Sequence, residues 1–126
     1  MSNLVIILFV FCIASCERLV DHGIFFKVQN NSSDTIRCFA SYSYPDTTLP
    51  VNKPSLQMVK PQGYTKIGDK ELEDVSTKDT ILVFIFSEEI VDKYSWDVIK
   101  SQYKILKRYN LTTADLKTQN GTVTYP

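Results

Sequence analysis

The sequence predicts a mainly β domain, an antiparallel β-sandwich with one or two short helices, spanning residues 24–126. Three observations carry this expectation. Short segments rich in β-branched and aromatic residues recur between turn clusters such as "NNSSD", residues 30–34, and Asn120-Gly121. Pro45, Pro50, Pro54 and Pro61 forbid a helix through the centre of the chain and demote any strand there to an edge. The segment "TILVFIFS", Thr80 to Ser87, is apolar at odd and even positions alike, as in a strand covered on both faces. An α+β two-layer arrangement, with the 88–103 region packed on a sheet, is the alternative.

Each element has its own signal. "IFFKVQN" to Asn30 reads as a strand that ends in the turn cluster. "TIRCFASYS", Thr35 to Ser43, follows, with Ile36, Cys38, Ala40 and Tyr42 on one face and Arg37, Ser41 and Ser43 on the other. "PQGY" is a turn into a short strand over Tyr64 to Ile67. The polar stretch "GDKELEDVSTKD" reads as loop. Residues 88–103 have helical character: Ser95 is an N-cap, and Trp96, Ile99 and Tyr103 share a face. For residues 104–111 the common parity of Ile105, Tyr109 and Leu111 favours a strand over continued helix, with Lys107 the misfit. Thr112 caps the short turn "TADLKTQ", and Asn120-Gly121 leads into a last strand, "TVTY".

The N-terminus is of another kind. Leu4 to Ala14 is an unbroken apolar run, too short to cross a bilayer core, which takes about 20 residues. It has the length of a signal-peptide h-region. Small residues lead into a thiol at Ile13-Ala14-Ser15-Cys16, which resembles a bacterial lipobox. The resemblance implies cleavage between Ser15 and Cys16, lipid on the Cys16 sulfur and acylation of the new amine, the palmitate-type modification of envelope lipoproteins. The expected organisation is a signal peptide over 1–15, lipidated Cys16 with a tether to residue 23, and one globular domain over 24–126. Cys12 leaves with the signal peptide, so Cys12 and Cys16 are not a metal or redox pair. Stable anchoring takes more than one acyl chain, which this maturation supplies.

The charge balance narrows the function classes. Fourteen basic residues offset fourteen acidic ones, so no basic excess drives phosphate-backbone binding and nucleic acid is not an expected partner. Cys38 is expected in the core as a small hydrophobe. His22, the sole histidine, lies in the tether and is a poor platform for a triad. Glu88-Glu89 and the Glu71, Glu73, Asp74 group are read as solvated acids, with an acidic hydrolase as a rival. No catalytic residues, cofactor or metal site are expected.

Binding is the more promising chemistry. Tyr42, Tyr44 and Tyr64 flank the proline-rich loop and form a candidate ligand platform, since flat aromatic faces take sugars and peptides. Asp-Thr followed by Ile or Thr occurs at Thr35, Thr47 and Thr80. This resembles the O-glycosylation sequon of Bacteroidetes-type envelope proteins, with Thr47 favoured on the expectation of an exposed loop. Turn-to-strand chemistry accounts for the same triplets.

The segments "LVFIF", "YSWDVIKSQYKILKRYNLTTADL", "TVTYP", "NNSSDTI" and "SYSYPDTTL" resemble a group of small outer-membrane lipoproteins of the same bacteria. The resemblance spans most of the mature chain. It implies a lipid-anchored outer-membrane location, facing either the periplasm or the cell surface, and supplies no catalytic residues. The expected function is a non-enzymatic binding or accessory domain of the envelope. The alternative is a small carbohydrate- or peptide-binding module that uses exposed tyrosines. A glycan or an envelope protein is the expected partner, beside the membrane reached through the lipid.

Overall fold

The computed structural model describes residues 26–68 and 80–126. The signal segment, Ser15, Cys16, His22 and the acidic group Glu71, Glu73 and Asp74 lie outside the described residues, as does most of the expected loop before Thr80.

Among the described residues, seven strands form two sheets. They are β1 (Phe26–Asn30), β2 (Ile36–Ser41), β3 (Gln57–Val59), β4 (Tyr64–Ile67), β5 (Thr80–Ser87), β6 (Lys107–Thr112) and β7 (Thr122–Tyr125). The three-stranded sheet runs β4-β1-β7 and the four-stranded sheet β3-β2-β5-β6. All pairs are antiparallel except β1 with β7, which is parallel. The fold is thus mainly β and sandwich-like, as the segment pattern predicts.

Three short helices accompany them among the described residues: α1 (Glu88–Lys93), α2 (Trp96–Gln102) and α3 (Thr113–Thr118). The two readings of β6 resolve in favour of a strand, beginning at Lys107 after a short bend. The proline-rich stretch yields only β3, an edge strand, because proline cannot donate to a ladder.

The core has two compartments, and β5 divides them. Ile81, Val83 and Ile85 point between the sheets, where they meet Phe26, Val28, Ile36, Cys38, Leu111 and Val123. Leu82, Phe84 and Phe86 point the other way, against Phe39, Leu49 and Ile99, with Trp96 packed at the edge. A strand buried on both faces needs apolar residues at every position, which is why "TILVFIFS" does not alternate. The helical layer of the alternative reading therefore exists as well, as a cover on the outer face of the four-stranded sheet. Phe39 stacks on Phe84 with ring centroids 5.0 Å apart, and Phe86 meets Trp96 at 6.0 Å. The Trp96 indole N–H donates to the Pro50 carbonyl at 2.9 Å, and the Tyr103 hydroxyl to the Thr47 carbonyl at 2.8 Å. These two bonds tie the proline-rich loop to the helices.

Helix ends follow local chemistry. The Ser95 hydroxyl accepts from the Val98 N–H at 3.3 Å and starts α2, which stops at Tyr103 in a left-handed conformation. Thr112 and Asp115 form a reciprocal capping box at the start of α3. Asn120 and Gly121, both at positive φ, then turn the chain into β7.

Among the described residues, one polar side chain, that of Asn30, is fully enclosed, with no solvent exposure. Its Nδ2 donates to the carbonyls of Asp34, at 2.7 Å, and Val59, at 3.0 Å. Its Oδ1 accepts from the Ser32 N–H and hydroxyl, at 3.0 and 2.6 Å. All of the amide's polar atoms are engaged, and the end of β1, the turn, and β3 of the opposite sheet are joined through it.

Candidate functional site

Strand parity decides what the three-stranded sheet shows to solvent. In β1, Phe26, Val28 and Asn30 point inward, so Lys27 and Gln29 point out. In β4, Ile67 is buried, so Tyr64 and Lys66 point out. In β7, Val123 is buried, so Thr122 and Thr124 point out. Pairing aligns these six residues in two rows across the sheet. Lys66, Lys27 and Thr122 are neighbours in one row, and Tyr64, Gln29 and Thr124 in the other. Neighbours in a row are about 4.8 Å apart and the rows about 7 Å apart, from the strand spacing and rise.

This face carries the most exposed tyrosine of the chain, Tyr64 at 60%. The Lys27 ammonium sits 5.0 Å from the Tyr64 ring centroid. Lys66 lies directly opposite Lys27 in the ladder, and no ion pair of Lys66 is present among the described residues. None of the six outward residues is acidic. Such a face presents one aromatic surface, two cations, one amide and two hydroxyls. Chemically it can stack, donate and accept.

The three tyrosines read as one platform divide between different places. Tyr42 continues the inward parity of β2 and packs half-buried against the core between the sheets. Its hydroxyl would lie 3.1 Å from a Cβ placed on Gly68, at the far end of β4 from Tyr64. Tyr44 is 48% exposed in the loop beyond it, preceding a cis proline. Tyr64 alone stands on the open sheet face. The sequence places Tyr42 and Tyr64 on opposite sides of a proline-rich loop, and parity then sends one inward and the other outward. Lys27, Gln29, Lys66, Thr122 and Thr124 were not singled out from the sequence. Their outward parity is visible in "FKVQN", "YTKI" and "TVTY", but not the register that joins them.

The other predicted residues occupy the following positions. Cys38 is buried in the inter-sheet core, and burial pushes its thiol up to about 12. Thr35, Thr47 and Thr80 are each half-buried, including Thr47, although its immediate neighbours Asp46 and Thr48 are exposed. Glu88 and Glu89 open α1 at the rim of a groove of about 480 Å³ that also contains Asp34, Asp92 and Leu106. Glu88 pairs with Arg37 at 3.0 Å, while Glu89 faces solvent. A second recess, of about 400 Å³, lies between Pro50 and Pro54 on one side and Tyr42, Lys66 and Gly68 on the other, so Lys66 borders both the recess and the open face. Among the described residues no three His, Cys, Asp or Glu side chains are placed to hold a metal ion.

No protein-family model, curated protein or solved structure matches the chain.

Proposed function

We propose that this chain is a lipid-anchored envelope protein whose β domain serves as a binding module, not a catalyst. The observation that carries the binding role is the open face of the three-stranded sheet, where Tyr64 stands exposed among aligned polar side chains. A flat aromatic ring flanked by donors and acceptors suits a sugar or an extended peptide. The lipid anchor rests on the Ile13-Ala14-Ser15-Cys16 segment. From Cys16 to the first strand at Phe26 a fully extended chain reaches about 35 Å, so the domain stays near its membrane.

Two measurements test the two parts separately. Metabolic labelling with an alkyne fatty acid should tag the protein and lose the tag in Cys16→Ala; an untagged, membrane-free wild-type protein would refute the anchor. Tyr64→Ala should weaken capture of whichever saccharide or peptide the purified protein retains, with no change in folding. Undiminished capture would move the binding site off this face.

A further inference from the structure

We propose that the open face of β4-β1-β7 binds an acidic saccharide, one carrying carboxylate or sulfate groups. The inference rests on the binding role assigned to that face and does not depend on the lipid anchor.

The argument begins with a local rule that the sheet breaks. Like charges placed directly opposite on neighbouring strands are destabilising, and Lys27 and Lys66 are such a pair. A carboxylate on the same face would relieve the repulsion, yet the remaining positions are Gln29, Tyr64, Thr122 and Thr124. Lys27 has a partner of sorts, since its ammonium rests on the Tyr64 ring. Lys66 is left with its charge toward solvent at the rim of the neighbouring recess. Departures from local consistency without internal compensation are characteristic of functional positions. Among the described residues no carboxylate offsets the pair, and an acid group of the ligand supplies that charge.

The tyrosine selects the class of anion. A point anion or a headgroup layer needs cations alone. Here the two lysines share the face with an exposed aromatic ring in the adjacent row, about 7 Å along the strands. A sugar ring laid on Tyr64 places its apolar C–H face on the aromatic surface. Its hydroxyls fall over Gln29 and Thr124, and an acid group on the next unit reaches the Lys27–Lys66 row. The stack, hydroxyl and anion contacts therefore follow the two-row register. Lys27 also fixes the Tyr64 ring through the cation–π contact, so part of the site is ordered before the ligand arrives.

The test uses full-length protein purified from whole-cell extract in a neutral detergent, whether or not it is membrane-bound. Binding is measured by calorimetry against polygalacturonate, chondroitin sulfate, neutral dextran, and vesicles containing phosphatidylglycerol. At least one of the two acidic polysaccharides should bind at low ionic strength, weaken as salt rises, and outcompete dextran. Lys66→Gln and Tyr64→Ala should each lower that affinity about tenfold, the scale of one lost charge-assisted contact or stack. Lys93→Gln, on the helical side of the sandwich, should not. Lys66→Gln should also leave the melting temperature unchanged or raised, which separates loss of a ligand contact from loss of structure. Absence of binding to both acidic polysaccharides, or affinity untouched by Lys66→Gln, would overturn the proposal. Equal binding of dextran would overturn the acidic preference and leave the binding face intact. Vesicle binding that exceeds polysaccharide binding and survives Tyr64→Ala would replace the saccharide with a membrane surface.

Discussion

Asn30 offers the sharpest test of how the two sheets are held together. Replacing it by Ala removes four side-chain hydrogen bonds while leaving the β1 backbone bonds, Asn30 N–H to the Gly63 carbonyl and Gln62 N–H to the Asn30 carbonyl, in place. The bond to the Val59 carbonyl is fully buried, so water does not readily replace it, and losing the donor costs about 1–3 kcal/mol. The other three are partly exposed and recover some hydration, at about 0.5–1 kcal/mol each. The sum is about 2.5–6 kcal/mol. In a domain of this size each kcal/mol moves the melting temperature by about 4–8 °C, so Asn30→Ala should melt more than about 10 °C below the wild type. Thermal and urea unfolding followed by circular dichroism reads this directly. Asn30→Asp gives an internal check. It keeps the acceptor toward Ser32 but turns a carboxylate toward two carbonyl oxygens, which raises its folded-state pKa. Its deficit should be full at neutral pH and shrink as the pH falls below that pKa. A loss under about 1 kcal/mol for Asn30→Ala, or an Asn30→Asp deficit that grows on acidification, would refute the assignment of the amide as the clamp between turn and sheets.

Cys38 should resist alkylation in the native protein at pH 8 and react only after unfolding, as read by peptide mass spectrometry. Because its folded pKa is raised, the thiol's contribution to stability is complete below its unfolded pKa of about 9 and is lost as the pH rises toward about 12. Thr112→Ala should cost about 1 kcal/mol by removing the cap of α3, measured by urea denaturation. Hydrogen bonds from the Thr112 backbone and then its side chain hold the Asp115 carboxyl below its usual range. The capping contribution is therefore present above the ordinary carboxylate pKa and lost as the pH falls through the depressed one. Trp96→Phe keeps the ring packing against Phe86 but loses the bond to the Pro50 carbonyl, and should speed amide exchange in the proline-rich loop relative to β5.

What the sequence made legible was local. The doubly apolar pattern of Thr80–Ser87 told of two covers, and both exist. Ser95 and Thr112 marked helix starts because capping acts within three residues. Lys107, the misfit in β6, is exposed at the first position of an edge strand, where an apolar residue is not required. What stayed hidden was set by distant partners. Nothing near Phe26–Asn30 announces a parallel neighbour from the far end of the chain. The turn cluster showed where β1 ends but not that Asn30 reaches across to Val59. The face around Tyr64 was invisible for the same reason. Parity assigns each residue a side, whereas the row of Lys66, Lys27 and Thr122 depends on register, which local pattern does not encode.

The parallel pairing of β7 with β1 sets the order in which this domain can be completed. β1 is the first strand described and β7 the last, so the centre of the three-stranded sheet waits for a partner nearly the full length of the domain away. β2, β3, β5 and β6 can assemble as the four-stranded sheet, and β4 can pair with β1, while β1 still lacks one edge. Contacts closed over such long separations are formed late, since the entropy of closing the intervening chain is spent before they return any energy. Thr122 and Thr124, which finish the two rows, are laid down only at that final step. A nascent or partly threaded chain would thus have a helical side already packed and a recognition face still open at one edge. Binding competence would report on the finished molecule and not on its intermediates.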